Sequence, residues 1–249
     1  MLNAFTKHIL RIDSVLSDAP KDYTDTQGIQ RHSYSDGDFV YQAGDPFTRV
    51  YIVEQGWLTS LNVLANGGRQ LLNFYTPSDL IGLEFLSGKK APSSLKALCP
   101  TRLISIERTD FLEIMRKSPE LMEYFISLIG LQDIILQERI CSMSRMDAKH
   151  KIVYFLLLLK SKVAVKDEED SQSLFLPLTQ YDIADSLGLT NVTVSKVMSE
   201  LEKAGYIQYK RQRIEFLDIE ALTSMVEFQD RYACFKQKTA DGDSIASAA

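Results

Sequence analysis

The sequence predicts an α+β chain in three parts: an N-terminal β-roll, a long helix and a C-terminal winged helix-turn-helix. Three observations carry this reading. Between residues 30 and 107, short β-rich runs alternate with turn residues. From Ser118 to about Met143 an apolar helical pattern continues without a breaker. Residues 178–216 read as two short helices joined at Gly188 and followed by a strand, a turn and a second strand.

The β-rich runs are RHSY, DFVYQ, RVYIVEQ, WLTSLNVL, RQLLNFY and TRLISIE, separated by Asp36-Gly37, Gly44-Asp45-Pro46, Asn66-Gly67-Gly68 and Pro77-Ser78-Asp79. Many short strands with regular turns imply a sandwich or roll. Before them, residues 1–27 read as a helix from Phe5 to Leu16 and a polar loop. After them, Thr109 and Asp110 can open a short helix, and Ser118-Pro119-Glu120 opens a long one, with serine as cap and proline at the first position. Its apolar residues fall in two adjacent stripes, 121/125/128/135 and 122/126/129/136/140/143. An arc that wide exceeds what one partner can cover. One stripe is expected on the roll and the other on a second copy of the helix, giving a homodimer; burial of the whole helix inside one domain is the alternative. Asp147 starts a further apolar helix, KIVYFLLLLKSKV, and the acidic run 167–170 reads as a solvated loop. The expected divisions are 1–27, the roll at 28–117, the dimer helix at 118–146, the DNA-binding domain at 147–235 and a flexible tail at 236–249.

Composition narrows the function classes. With 45% hydrophobic and 24% charged residues the chain resembles ordinary globular proteins. No apolar run approaches the roughly 20 residues that span a bilayer, and the N-terminus lacks a signal-peptide pattern, so a cytoplasmic protein without a membrane partner is expected. Cys99, Cys141 and Cys234 are widely spaced and odd in number, which suggests neither disulfides nor a cysteine metal site. Enzyme classes are disfavoured because no nucleophile–base set, phosphate loop or metal cluster is visible. Net charge is −5, yet residues 190–213 hold Lys196, Lys203, Lys210, Arg211 and Arg213 against Glu200 and Glu202, a local +3. Such a surface on an acidic protein suits salt-dependent contact with DNA phosphates.

The segment that carries function is LTQYDIADSLGLTNVTVSKVMSELEKAGYIQYKRQRIEF. Thr179 can cap the first helix with Asp182 three residues on, and Ile183, Ala184 and Leu187 form its inner face. Gly188 supplies the turn. Thr190 can cap a second helix in which Val194, Val197, Met198 and Leu201 face inward, while Asn191, Val192, Ser195, Lys196 and Ser199 face outward. A major groove admits such a helix. Lys196 can donate to guanine or phosphate, Ser195 and Asn191 can bond base edges, and Val192 can touch a thymine methyl. Thr179, Thr190 and Thr193 are placed for phosphates, as are Lys210, Arg211 and Arg213 on the wing. A small helical module that binds protein is the competing reading.

The order of parts resembles the CRP/FNR family of bacterial transcription regulators over roughly residues 28–220. The likeness rests on DGDFVYQAGDPFTRVYIVEQGWL, TPSDLIGLEFL, LTQYDIADSLGLTNVTVSKVM and ELEKAGYI. It implies that the roll is of the cyclic-nucleotide-binding type. It also implies a homodimer on an inverted-repeat operator in double-stranded DNA, controlled by a small-molecule effector between roll and long helix, and RNA polymerase as a partner if the protein activates. Many members read DNA with a glutamate, two residues, serine or glycine, and arginine; here Val192, Ser195 and Lys196 stand at those positions. Valine followed by TVS also resembles CprK-type halorespiration regulators.

The family comparison implies an effector pocket at Gly82, Leu83, Glu84, Ser93, Ser94, Leu136 and Gln137. Members that bind cyclic AMP carry an acidic residue directly after the glycine matching Gly82 and an Arg-Ser pair further on. This chain has Leu83 and then KKAPSS at 89–94, which disfavours cyclic AMP. An iron-sulfur cluster is disfavoured because no cysteine precedes Cys99. Haem stays open, with His8, His32 and His150 the only histidines, and a haem-based gas or redox sensor of the same family is one alternative. The other is a non-DNA cyclic-nucleotide-binding regulatory module, which residues 179–216 oppose.

Overall fold

The computed structural model describes residues 29–83, 88–117, 119–164 and 172–240. The helix expected at 5–16, the Ser118 cap, Glu84, the acidic run 167–170 and the end of the expected tail lie outside them. The chain divides into two compact units at Met122/Glu123.

The first unit is built from two four-stranded antiparallel sheets. One runs in the order β1 (Ile29–Tyr34), β8 (Thr101–Glu107), β3 (Arg49–Gln55), β6 (Leu80–Ile81); the other is β2 (Phe39–Tyr41), β7 (Ser94–Ala97), β4 (Leu58–Val63), β5 (Arg69–Tyr75). Both sheets feed one core: Tyr41, Val53, Leu58, Tyr75, Ile81, Leu95 and Leu103 cluster with Phe47. Alternate residues of a strand point to opposite faces, so Val50, Ile52 and Ile106 lie on the other face of the first sheet, where α1 (Arg108–Lys117) packs with Phe111 and Met115. The strands read from sequence are all present. β6 and β7 were not read there, since they are only two and four residues long.

The helix expected over 118–143 is α2 (Pro119–Arg145). Its two stripes have different fates. Phe125 and Ile135 of the first stripe are buried within the chain, as is Leu131 from neither stripe, and Leu128 is half-buried, whereas Met122, Ile126, Ile129, Leu136 and Ile140 of the second stay between 39% and 61% exposed and Met143 is half-buried. The exposed set recurs in steps of four, three, seven and four, the period of a two-stranded seam. Two residues later α3 (Ala148–Ala164) begins, with Asp147 accepting the His150 N–H at 2.9 Å. Ile152 to Leu159 are buried without interruption, so α3 is the central helix of the second unit. Around it lie β9 (Ser173–Phe175), α4 (Gln180–Leu187), α5 (Asn191–Lys203), β10 (Ile207–Lys210), β11 (Arg213–Phe216), α6 (Ile219–Met225) and α7 (Arg231–Ala240). α7 runs into the stretch 236–249 that composition reads as a tail. The Asp230 cap, which accepts the Ala233 N–H at 2.8 Å, and the apolar Tyr232 and Phe235 account for the extension.

Candidate nucleic-acid interface

Each turn of the helix-turn-helix has a local cause. Thr179 and Asp182 form the full capping box: the Asp182 N–H donates to the threonine hydroxyl at 3.2 Å, and the aspartate accepts the Thr179 N–H at 2.9 Å. α4 ends at Gly188, which sits at φ 64°, a left-handed conformation that glycine adopts without a Cβ penalty. Thr190 caps α5 by accepting the Thr193 N–H at 3.1 Å. Ile183, Ala184 and Leu187 of α4, and Val194, Val197, Met198 and Leu201 of α5, are buried as their spacing requires.

What remains outside is the reading surface. Val192 is 77% exposed on the first turn of α5. Ser195 and Lys196 are exposed beside it. The Lys196 ammonium lies 3.9 Å from Glu200 one turn on, and both side chains are largely solvated. Such a pair is worth at most about 1 kcal/mol, so Lys196 can exchange it for a base or phosphate. Asn191 differs from expectation. It is half-buried, and its Oδ1 is enclosed without a hydrogen-bond partner among the described residues. Being the first residue of α5, it lies partly under the helix end.

The threonines are more committed than the sequence suggested. The Thr179 hydroxyl donates to Asp182 at 2.6 Å, and those of Thr190 and Thr193 bond each other at 2.8 Å. Their present role is to hold the two helix N-termini, whose first N–H groups have no intrahelical acceptor and suit an anion. Tyr181 is also exposed, at 63%, on the first turn of α4, and the sequence reading did not single it out. Its signal was available, since it lies about 200° around the helix from Ile183.

The wing is a built element. β10 pairs with β11 in register, Lys210 opposite Arg213, and β11 pairs on its other side with β9, a strand that the sequence did not reveal. Glu202 of α5 accepts the Tyr209 N–H at 2.9 Å, and the Leu176 N–H donates to the Gln212 carbonyl at 2.7 Å. Wing and recognition helix are thereby tied, and one of the two anions of the segment is spent on that tie. At the tip, Arg211 and Gln212 have φ of 50° and 61°. Two consecutive left-handed residues fit the tight hairpin turn that normally takes Asn-Gly. Each non-glycine residue there costs on the order of 1 kcal/mol. Gln212→Gly is therefore expected to raise stability by about 1 kcal/mol in urea unfolding while leaving DNA affinity unchanged. An unchanged midpoint would show that the turn is unstrained.

The expected effector residues are divided between the units. In the roll, Gly82 has φ 106°, and a Cβ placed there would lie 2.6 Å from the Phe47 ring. Phe47 therefore fills the space over the glycine. Ser93 is buried, the Ser94 hydroxyl accepts the Ala43 N–H at 2.9 Å, and Leu83 is half-buried. Lys89 and Lys90 point to solvent. Among the described residues, then, Phe47 lies over Gly82 and the Ser94 hydroxyl is already engaged. Leu136 and Gln137 lie exposed on α2, with the Gln137 amide donating to Asp133 at 2.7 Å. His32 bonds the Ser105 hydroxyl at 2.9 Å, and His150 bonds Asp147 at 2.8 Å. Among the described residues no cluster of three metal-ligating side chains occurs, and no helix is long and apolar enough to cross a membrane.

Comparison with known proteins agrees with this geometry. Residues 31–118 match the family model of the cyclic nucleotide-binding domain and residues 150–225 that of the Crp-like helix-turn-helix domain. The chain is 28% identical to the transcriptional activator protein anr of Pseudomonas aeruginosa, over 73% of this chain and 74% of that protein. It is 24% identical to the fumarate and nitrate reduction regulatory protein of Vibrio cholerae, over 84% and 83%. Among solved structures, FixK2 from Bradyrhizobium japonicum shares the fold with a TM-score of 0.71 at 24% identity, covering 80% of this chain and 97% of that one. TTHA1359, a CRP/FNR family regulator from Thermus thermophilus, aligns with a TM-score of 0.62 at 25% identity, covering 80% and 99%. A roll, a long helix with an exposed seam and a winged helix-turn-helix, matched in both domains, make this chain a member of the CRP/FNR family of DNA-binding transcription regulators.

Proposed function

We propose that the chain acts as a homodimer that sets two α5 helices into successive major grooves of an inverted-repeat operator, under control of an effector other than cyclic AMP. The observation that carries this is the exposed surface of Val192, Ser195 and Lys196, flanked by the wing cations Lys210, Arg211 and Arg213. The exposed stripe of α2 supplies the dimer contact. Lys196 and Ser195 read base edges, and Val192 packs on a thymine methyl; without the family's frequent glutamate, the half-site loses its demand for the cytosine that glutamate would contact. The helix N-termini at Thr179, Thr190 and Thr193 and the wing hold phosphates. Asn191 supports the end of α5 and turns its amide toward DNA. Effector binding in the roll and at Leu136 and Gln137 repositions the two recognition helices. The protein works on DNA in the cytoplasm, without catalysis of its own, and meets RNA polymerase where it activates.

Selection of bound sequences from a random duplex pool tests this reading. Enrichment of an inverted repeat with half-sites about one helical turn apart, unchanged by added cyclic AMP, is expected. Recovery of unrelated sequences, or of single half-sites only, would overturn it.

A further inference from the structure

The helix α7 lies beyond the matched helix-turn-helix domain, which ends at residue 225, and it touches both helices that flank the bend at Met146-Asp147. On the α2 side, Arg231 donates from Nε and Nη2 to one carboxylate oxygen of Glu138 at 2.7 and 2.6 Å, and the rings of Phe235 and Tyr124 lie 6.0 Å apart. On the α3 side, Asp230 accepts the Ser161 hydroxyl, and Phe228 just before α7 meets Tyr154 edge-on at 5.7 Å. Tyr154 closes the circuit by donating to the second oxygen of Glu138 at 3.3 Å. Burial and the neighbouring Glu138 push its phenol well above the ordinary tyrosine range, so it stays a donor at any physiological pH. Glu138 thus receives bonds from α3 and α7 at once. Beside the bend, Ser142 and Met143 of α2 meet Tyr154 and Phe155 of α3 around a shallow cleft with room for about one water.

We infer that α7 is a strap across this bend, and that the Arg231–Glu138 pair positions the helix-turn-helix on the dimer helix and so fixes the half-site spacing the dimer accepts. The strap joins Glu138, about two turns before the bend, to Ser161 after it. In a two-fold dimer each error of angle is doubled between the recognition helices, and one base pair of spacing corresponds to about 34° of rotation around the duplex. The inference rests on the dimer reading above.

The test is fluorescence anisotropy on operators whose half-site spacing is altered by one and two base pairs, with the full-length protein. Wild type is expected to lose on the order of tenfold in affinity per base pair of error, as a rigid dimer does. Arg231→Ala should flatten that dependence to less than about threefold while the melting temperature moves only a few degrees, because the pair is partly solvated. Glu138→Gln, which keeps an acceptor, should fall between, and Glu138→Arg combined with Arg231→Glu should restore the wild-type profile. Identical spacing profiles in wild type and in both single variants would overturn the strap. A wild type indifferent to spacing would instead overturn the inverted-repeat dimer.

Discussion

Ile126→Glu is expected to leave the chain folded and monomeric, and to weaken operator binding by about three orders of magnitude. Ile126 is 61% exposed in the single chain, so the substitution creates no cavity and buries no charge there. In the proposed dimer the same position lies in the α2 seam. Burying an isoleucine contributes about 1.5–3 kcal/mol, and the two-fold axis counts it twice. The loss is therefore about 3–6 kcal/mol before two apposed carboxylates are added, which is a factor of about 10² to 10⁴ in the dimer dissociation constant. Sedimentation velocity reads the first effect and anisotropy on the selected operator the second. Operator affinity follows because a monomer engages one half-site and forfeits the effective concentration of the second. A variant that still sediments as a dimer would place the subunit contact elsewhere. Glu substituted for the buried Ile135 makes the control: it is expected to unfold the helix packing instead.

How much of this was legible in the sequence depended on how local the cause was. The caps at Thr179 and Thr190 and the turn at Gly188 are set by residues three or four apart, and the sequence showed them with their bounds. The two stripes of α2 were equally local, because helical period alone separates Phe125 from Ile126. β9 was not legible, since Ser173–Phe175 becomes a strand only by pairing with β11, some forty residues on. The Phe47 cover over Gly82 was hidden for the same reason: the two are close only once β3 and β6 have paired. Asn191 fell between these cases. Its helix position was read correctly, yet enclosure of its Oδ1 depends on packing that no periodicity encodes. The Arg231 contact was not legible because the acceptor that orders it sits at Glu138, far back in the chain.

Lys196→Ala is expected to abolish operator selectivity while most non-specific binding survives. Lys196 is exposed at the middle of the outer face of α5, and its Glu200 partner is too weakly held to restrain it. A good polar contact to a base edge discriminates by about 1–3 kcal/mol, and the dimer makes it once per half-site, so about 2–6 kcal/mol of discrimination is lost. Arg211→Ala makes the contrast. Arg211 stands on the left-handed wing tip, tied to α5 only through the backbone of the hairpin, and in the proposed complex it meets phosphates alone. Its loss should weaken all sequences alike and reduce the slope of log K against log salt by about 0.9 per half-site. The two variants therefore separate along independent axes, selectivity for one and salt dependence for the other. Equal loss of specific and non-specific binding in Lys196→Ala would move that lysine from the bases to the backbone, leaving Val192 and Ser195 as the side chains of α5 that read sequence.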